Sequence, residues 1–197
     1  MQEFRAGFIT LSVLADCMAG AIVKSERHFM ARITLFRHAK AETLSSQQDD
    51  FLRVLNARGR RNADRMGRFI AENALVPELV IVSGATRTRE THEIAAHHWP
   101  DTQVIWSDSI YEASATTIMA AIEAHGGGKG HVMVIGHNPG LTVLLMHMID
   151  ATATQANLAY FPTSCVADIG FDAETINQID PESGRLCSLV RVGELPD

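Results

Sequence analysis

The chain has 197 residues, a size that suits one domain around a single well-filled core, and its 46 % apolar and 20 % charged content is that of a globular rather than a disordered protein. A net charge of −6 argues against nucleic acid or an anionic membrane surface as partner, so an anionic substrate needs a local basic pocket set against the global field. Cys17, Cys165 and Cys187 are an odd number without Cys-x-x-Cys spacing. They suggest neither a disulfide framework nor a structural zinc site, and they point to a reducing, cytoplasmic compartment.

Residues 6–23 are fairly apolar, but as a membrane span the run is marginal in length and carries Asp16 near its middle. As a signal peptide it has only Arg5 for a charged start, offset by Glu3. Residues 1–29 are therefore expected to form an extension outside the domain, which occupies 30–197. The first strand is predicted over Ile33 to Phe36, running straight into Arg37 and His38. Ala41 to Asp50 is polar and reads as a loop. A helix follows with Asn56 as its N-cap and a buried stripe of Ala63, Met66, Phe69 and Ile70. Arg58, Arg60, Arg61, Arg65 and Arg68 fall on its remaining, solvated surface, with a docking face for an acidic partner as the alternative.

Leu79 to Val82 is the second strand, ending in Ser83-Gly84-Ala85-Thr86-Arg87 and a helix through about His98. Gln103 to Trp106 is the third, followed by Ser107 to Glu112 and a helix capped by Ser114, with Ile118, Ala121 and Ile122 inside. Gly126 to Gly130 makes a turn into a fourth strand, His131 to Ile135. That strand leads into Gly136-His137-Asn138-Pro139-Gly140 and a helix over Leu141 to Ile149, in which Asn138 is the expected N-cap and the methionines are expected in the core. Two more strands are predicted near Ser164 to Phe171 and Leu186 to Val192. Strands alternating with helices imply an α/β sandwich of three layers with a mostly parallel central sheet.

In such a sheet, ligands bind beyond the carboxyl ends of the strands. Those ends carry Arg37-His38, Arg87, Glu112 and His137. Guanidinium forks match the oxygens of a phosphoryl group, and Asn138 with His137 at a helix start adds an anion-favouring backbone. A neutral imidazole with one free nitrogen is a nucleophile, and Arg37 and Arg87 beside His38 would hold its pKa down. Attack on phosphorus would give a phosphohistidine, with Glu112 as the group that protonates the leaving atom and then activates water.

These segments carry a family resemblance. Leu35-Phe36-Arg37-His38-Ala39-Lys40 resembles the Arg-His signature of the histidine phosphatase (phosphoglycerate mutase-like) superfamily. Leu55 to Gly59, Ser83 to Thr91 around Arg87, and Gly136-His137-Asn138 follow in the family's order. The match is most similar to the short SixA-type phosphohistidine phosphatases, and it runs from Met30 to the last strands. It implies His38 as nucleophile, Arg37, Arg87 and His137 as phosphoryl ligands, and no cofactor or metal. Two departures stand out: Ala39 where the superfamily usually has Gly, and Thr88 where Ala is usual. The substrate implied is a phosphohistidine on a protein. A small phosphoester is the first alternative, and a phospho-ligand binding module without turnover the second.

Other motifs lead nowhere. His92 and His97 are five apart, so a helix turns them well away from one face and they do not form a zinc-protease pair. The run around Lys129 precedes a strand and lacks the Ser or Thr of a phosphate-binding loop.

Overall fold

The computed structural model describes residues 31–43, 49–100, 102–149, 158 and 160–196. The expected 1–29 extension and Cys17 lie outside the described residues. Six strands form one sheet: β1 (Ala31–Arg37), β2 (Leu79–Ser83), β3 (Gln103–Ser107), β4 (His131–Gly136), β5 (Cys165–Phe171) and β6 (Arg185–Arg191), in the order β3-β2-β4-β1-β5-β6. β1, β2, β3 and β4 run parallel, while β5 lies antiparallel to β1 and β6 antiparallel to β5. The chain is thus an α/β protein with a mostly parallel central sheet, as the alternation of elements predicts.

Helices α1 (Ala57–Glu72) and α2 (Thr86–Ala95) cover one face, and α3 (Ala115–Gly126) and α4 (Gly140–Met148) the other. The period-two alternation of the strands decides which side chain goes where. Ile33, Leu35, Ile81 and Val134 meet Ile118, Ile122, Leu141 and Leu145, whereas Phe36, Val80, Val82 and Ile135 meet Met66 and Ile70. Central strands β2 and β4 are buried on both faces, so they read as unbroken apolar runs. The caps on α1 and α3 form as predicted: Asn56 accepts from the Gly59 N–H at 2.8 Å, and Ser114 from that of Thr117 at 3.2 Å. α1 and α2 pack so closely that a Cβ on Gly67 would lie 2.4 Å from the Ala95 carbonyl oxygen, so only glycine fits there. The methionine expectation holds for Met148, which is fully buried, and fails for Met146, which is 40 % exposed. Three residues beyond Val143, it shares the solvent side of a helix whose opposite face alone meets the sheet.

Towards the amino end of β1 the sheet buries a polar chain. Arg32 pairs with Asp168, and Thr34 donates to the same carboxylate at 3.0 Å. Because the single hydroxyl hydrogen of Thr34 is spent there, His131 donates Nε2–H to Thr34 Oγ1, at 2.8 Å. His131 is pushed down to about 4, mainly by burial. His92 is pushed to about 4 by burial as well, packed edge-on against Trp99 and Trp106 while His97 is exposed. Both pKa values lie below that of an unfolded histidine, so the unfolded chain binds more protons between about pH 6.5 and 4. Folding stability is therefore expected to fall as pH drops through that window, by up to about 1.4 kcal/mol per pH unit for each group. Urea unfolding at pH 7 and pH 5 checks this; equal stabilities would contradict it.

Candidate active site

The carboxyl ends of β1, β2 and β4 deliver the polar side chains to one edge of the sheet. Arg37 closes β1, and His38 follows with its backbone N–H on Gly136 O at 3.1 Å. Ser164, in the left-handed region with φ 60°, directs its N–H to the carbonyls of both Arg37 and His38, at 3.1 and 3.2 Å. The Ala39 N–H is held by Thr91 Oγ1 at 3.0 Å, and that hydroxyl donates to Arg87 O at 2.6 Å. The turn carrying His38 is therefore bolted to β4, to the segment before β5 and to α2.

The His38 ring is 7 % exposed. Its Nδ1 lies 2.8 Å from Ala39 O, and since a carbonyl can only accept, Nδ1 carries the hydrogen and Nε2 the lone pair. Arg87 Nε points at that Nε2 from 3.4 Å. Arg87 is itself only 1 % exposed, and its Nη2 donates to His137 Nδ1 at 3.2 Å. His137 must then donate Nε2–H to Ser83 Oγ, at 2.8 Å. The two imidazoles stand with centroids 5.1 Å apart. Arg37 and His38, Arg87, and His137, from three separate segments, thus converge on one spot. Arg37 is held by Phe161, whose carbonyl accepts its Nη1 at 2.9 Å.

Electrostatics follows from burial among cations. Desolvation lowers the His38 pKa well below the usual imidazole value, against the pull of its bond to Ala39, and electrostatic coupling to His137, Arg87 and Arg37 lowers it further. His137 is pushed down to about 3, first by burial and then by the charge on Arg87. Both rings are neutral at pH 7. Such a cradle can take a tetrahedral oxyanion between guanidinium forks while presenting an unprotonated imidazole nitrogen to its centre.

No family model matches the chain. An uncharacterised protein of Mycobacterium tuberculosis is 30 % identical over 136 residues, covering 66 % of this chain and 84 % of that one. Among solved structures, SixA from Agrobacterium tumefaciens superposes with a TM-score of 0.72 at 28 % identity, covering 83 % of this chain and 99 % of that one. A structure of the protein histidine phosphatase SixA complexed with tungstate gives a TM-score of 0.69 at 20 % identity, covering 84 % and 99 %. The chain belongs to the histidine phosphatase superfamily, in its SixA-type branch.

Within this histidine phosphatase, two predicted site residues sit differently from the other four. Glu112, with φ 46°, lies at the rim: its side chain is 59 % exposed and its Oε1 is 3.8 Å from Arg87 Nη2. Asn138 does not cap α4. The helix begins at Gly140 with Pro139 at the cap position, which leaves Asn138 one residue too far upstream, and its amide donates to Phe161 O at 3.0 Å instead. Thr88, the departure noted above, is fully buried and its hydroxyl reaches Ser83 O and Ala85 O at 2.7 and 2.6 Å, tying the turn after β2.

Sequence reasoning missed Asp50, Arg53, Tyr111, Ser83 and the Phe161 carbonyl. Asp50 ends a stretch whose polarity predicts a loop, yet it opens the short 3-10 turn Asp50–Leu52 against Arg87. Its carboxylate takes Arg87 Nη2 at 2.9 Å and Tyr111 OH at 2.8 Å. Arg53 Nη2 reaches the other carboxylate oxygen at 2.7 Å. Burial alone would raise the Asp50 pKa; the bond from Tyr111 and the charges of Arg87 and Arg53 outweigh it and hold the carboxyl below its usual value. The available signal was the Asp-x-x-Arg pair Asp50 and Arg53 at the end of a loop bound for the same sheet edge. Among the described residues no helix is long and apolar enough to cross a membrane, and no cluster of three or more His, Cys, Asp or Glu is placed to hold a metal.

Proposed function

We propose that this histidine phosphatase removes the phosphoryl group from a phosphohistidine on a protein, through a covalent phosphohistidine at His38. The observation that carries the reading is the buried neutral ring of His38, with Nδ1–H pinned to Ala39 and the Nε2 lone pair facing Arg87 Nε across a long 3.4 Å contact. Nε2 attacks phosphorus, the bond from phosphorus to the departing nitrogen breaks, and that nitrogen takes a proton. Arg37 and Arg87 hold the equatorial oxygens as charge shifts among them, and His137 joins them once Nδ1, now an acceptor from Arg87, takes up a proton. Water then attacks phosphorus, the bond to Nε2 breaks, and phosphate leaves. Glu112, at the rim beside Arg87, is the proposed donor of the first proton and acceptor of the one from water.

The protein substrate is supported by similarity to Agrobacterium SixA, named a putative phosphohistidine phosphatase, of which this chain covers 99 %. The test is a panel of a phosphohistidine peptide and small phosphoesters assayed side by side. The peptide is expected to show the higher kcat/KM; faster turnover of a small ester would overturn the assignment of substrate. Replacing Glu112 by glutamine should lower kcat/KM for esters with poor leaving groups roughly 100-fold while hardly changing kcat/KM for p-nitrophenyl phosphate, whose leaving group needs no proton. Equal effects on the two kcat/KM values would remove Glu112 from the first proton transfer.

A further inference from the structure

Arg87 is fully committed on the edge that faces the two histidines. Nε points at His38 Nε2, Nη2 donates to His137 Nδ1 and also meets the Asp50 carboxylate at 2.9 Å, and Nη1 donates to the backbone oxygen of Asp50 at 2.7 Å. Nη2 has two hydrogens, one given to His137 and one lying against Asp50, and a phosphoryl oxygen that takes the second must displace that carboxylate. It cannot share that hydrogen with a carboxylate, because two anions at one N–H repel each other. Resting on the reading of Arg87 as a phosphoryl ligand, we propose that Asp50 is an internal competitor for the phosphate seat, occupying Arg87 in the empty site and displaced by the incoming oxyanion.

The neighbourhood is built for such an exchange. Asp50 has two further partners, Tyr111 OH at 2.8 Å and Arg53 Nη2 at 2.7 Å, so its carboxylate is not stranded when it leaves Arg87. Its side chain is 27 % exposed, against 2 % for Arg87, so the competitor can move into water while the cation stays in place. The Asp50 backbone carbonyl still aims Nη1 after the exchange. Run backwards, the exchange expels product: the carboxylate retakes Nη2 as phosphate departs. Asp50 is thus a positioning residue that keeps the empty cradle neutralised and lowers its affinity for free phosphate.

The experiment measures binding of inorganic phosphate to the full chain at pH 7 by titration calorimetry, for the wild type, Asp50→Asn, Tyr111→Phe and Arg87→Lys, with thermal melts to verify folding. Asp50→Asn keeps the shape and removes the charge, and phosphate is expected to bind roughly 3- to 10-fold more tightly, with stronger product inhibition to match. Tyr111→Phe retains the ring against His137 but removes one partner that receives the carboxylate when it leaves Arg87, so phosphate should bind more weakly than to the wild type. Wild-type phosphate binding that is unchanged or weakened in a folded Asp50→Asn protein would overturn the competitor and leave Asp50 as a prop for Arg87. Absence of phosphate binding in the wild type, or its full retention in Arg87→Lys, would instead overturn the reading of Arg87 on which the proposal stands.

Discussion

Replacing His38 by alanine is expected to abolish turnover while leaving the chain folded and able to bind inorganic phosphate. Among the described residues the ring's polar ties are the Nδ1 bond to Ala39 and the long contact from Arg87 to Nε2, so its removal leaves a small gap and no stranded charge. The cradle residues Arg37, Arg87 and His137 remain, all three anchored elsewhere, on Phe161, Asp50 and Ser83. A nucleophile has no substitute within the cradle, so the residual rate should fall by at least about 10⁴-fold, the scale seen when a covalent step loses its attacking atom. Retained phosphate affinity separates this outcome from simple misfolding. A His38→Ala protein that still turned over phosphohistidine peptide would refute the covalent route. The wild-type pH profile offers a second check. With the His38 pKa held well below 6.5 by burial and by neighbouring positive charge, the nucleophile is already unprotonated at neutral pH. An acid limb in kcat/KM assigned to His38 should therefore lie below that of an ordinary imidazole.

Exchanging Arg87 for lysine is the second large expected effect, a fall of roughly 10²- to 10³-fold in kcat/KM. Charge is kept, yet a single ammonium cannot reproduce the fork that reaches His38 with Nε, His137 and the Asp50 carboxylate with Nη2, and the Asp50 carbonyl with Nη1. Two of those directions are needed on the oxygens of a phosphoryl group in flight, each worth about 1.5–3 kcal/mol as a hydrogen bond to a charged group. His137 also loses the donor that occupies its Nδ1 and fixes its tautomer. Because the side chain is almost wholly buried, stability should fall too, and kinetics must be read at a temperature where the variant is folded. A kcat/KM within tenfold of the wild type would show that the charge of Arg87 matters and its geometry does not.

Much of this architecture is legible along the chain. Mostly apolar runs over 33–36, 79–82 and 132–135, alternating with helical stripes, specify strands buried on both faces, and such strands require crossovers of one hand and a mostly parallel sheet. Once that sheet is assumed, the residues just past its strand ends must share an edge, and Arg37, His38, Arg87 and His137 do. The caps at Asn56 and Ser114 are equally local, each settled within one turn of helix.

Where the partner is distant in sequence, composition says nothing. Asp50 meets Arg87 across 37 residues and Tyr111 across 61, and Phe161 takes Arg37 across 124. Asn138 had the side chain of a cap, but its amide is claimed by Phe161, which no periodicity could place there. Sequence alone determined which elements form and which strand ends carry cations and imidazoles, because hydrophobic periodicity and capping act over a few residues. Only the tertiary structure decided which nitrogen of His38 is free, what sits on Arg87 in the empty site, and which face of α4 meets solvent, because hydrogen bonds between segments depend on where loops come to rest once the core has closed.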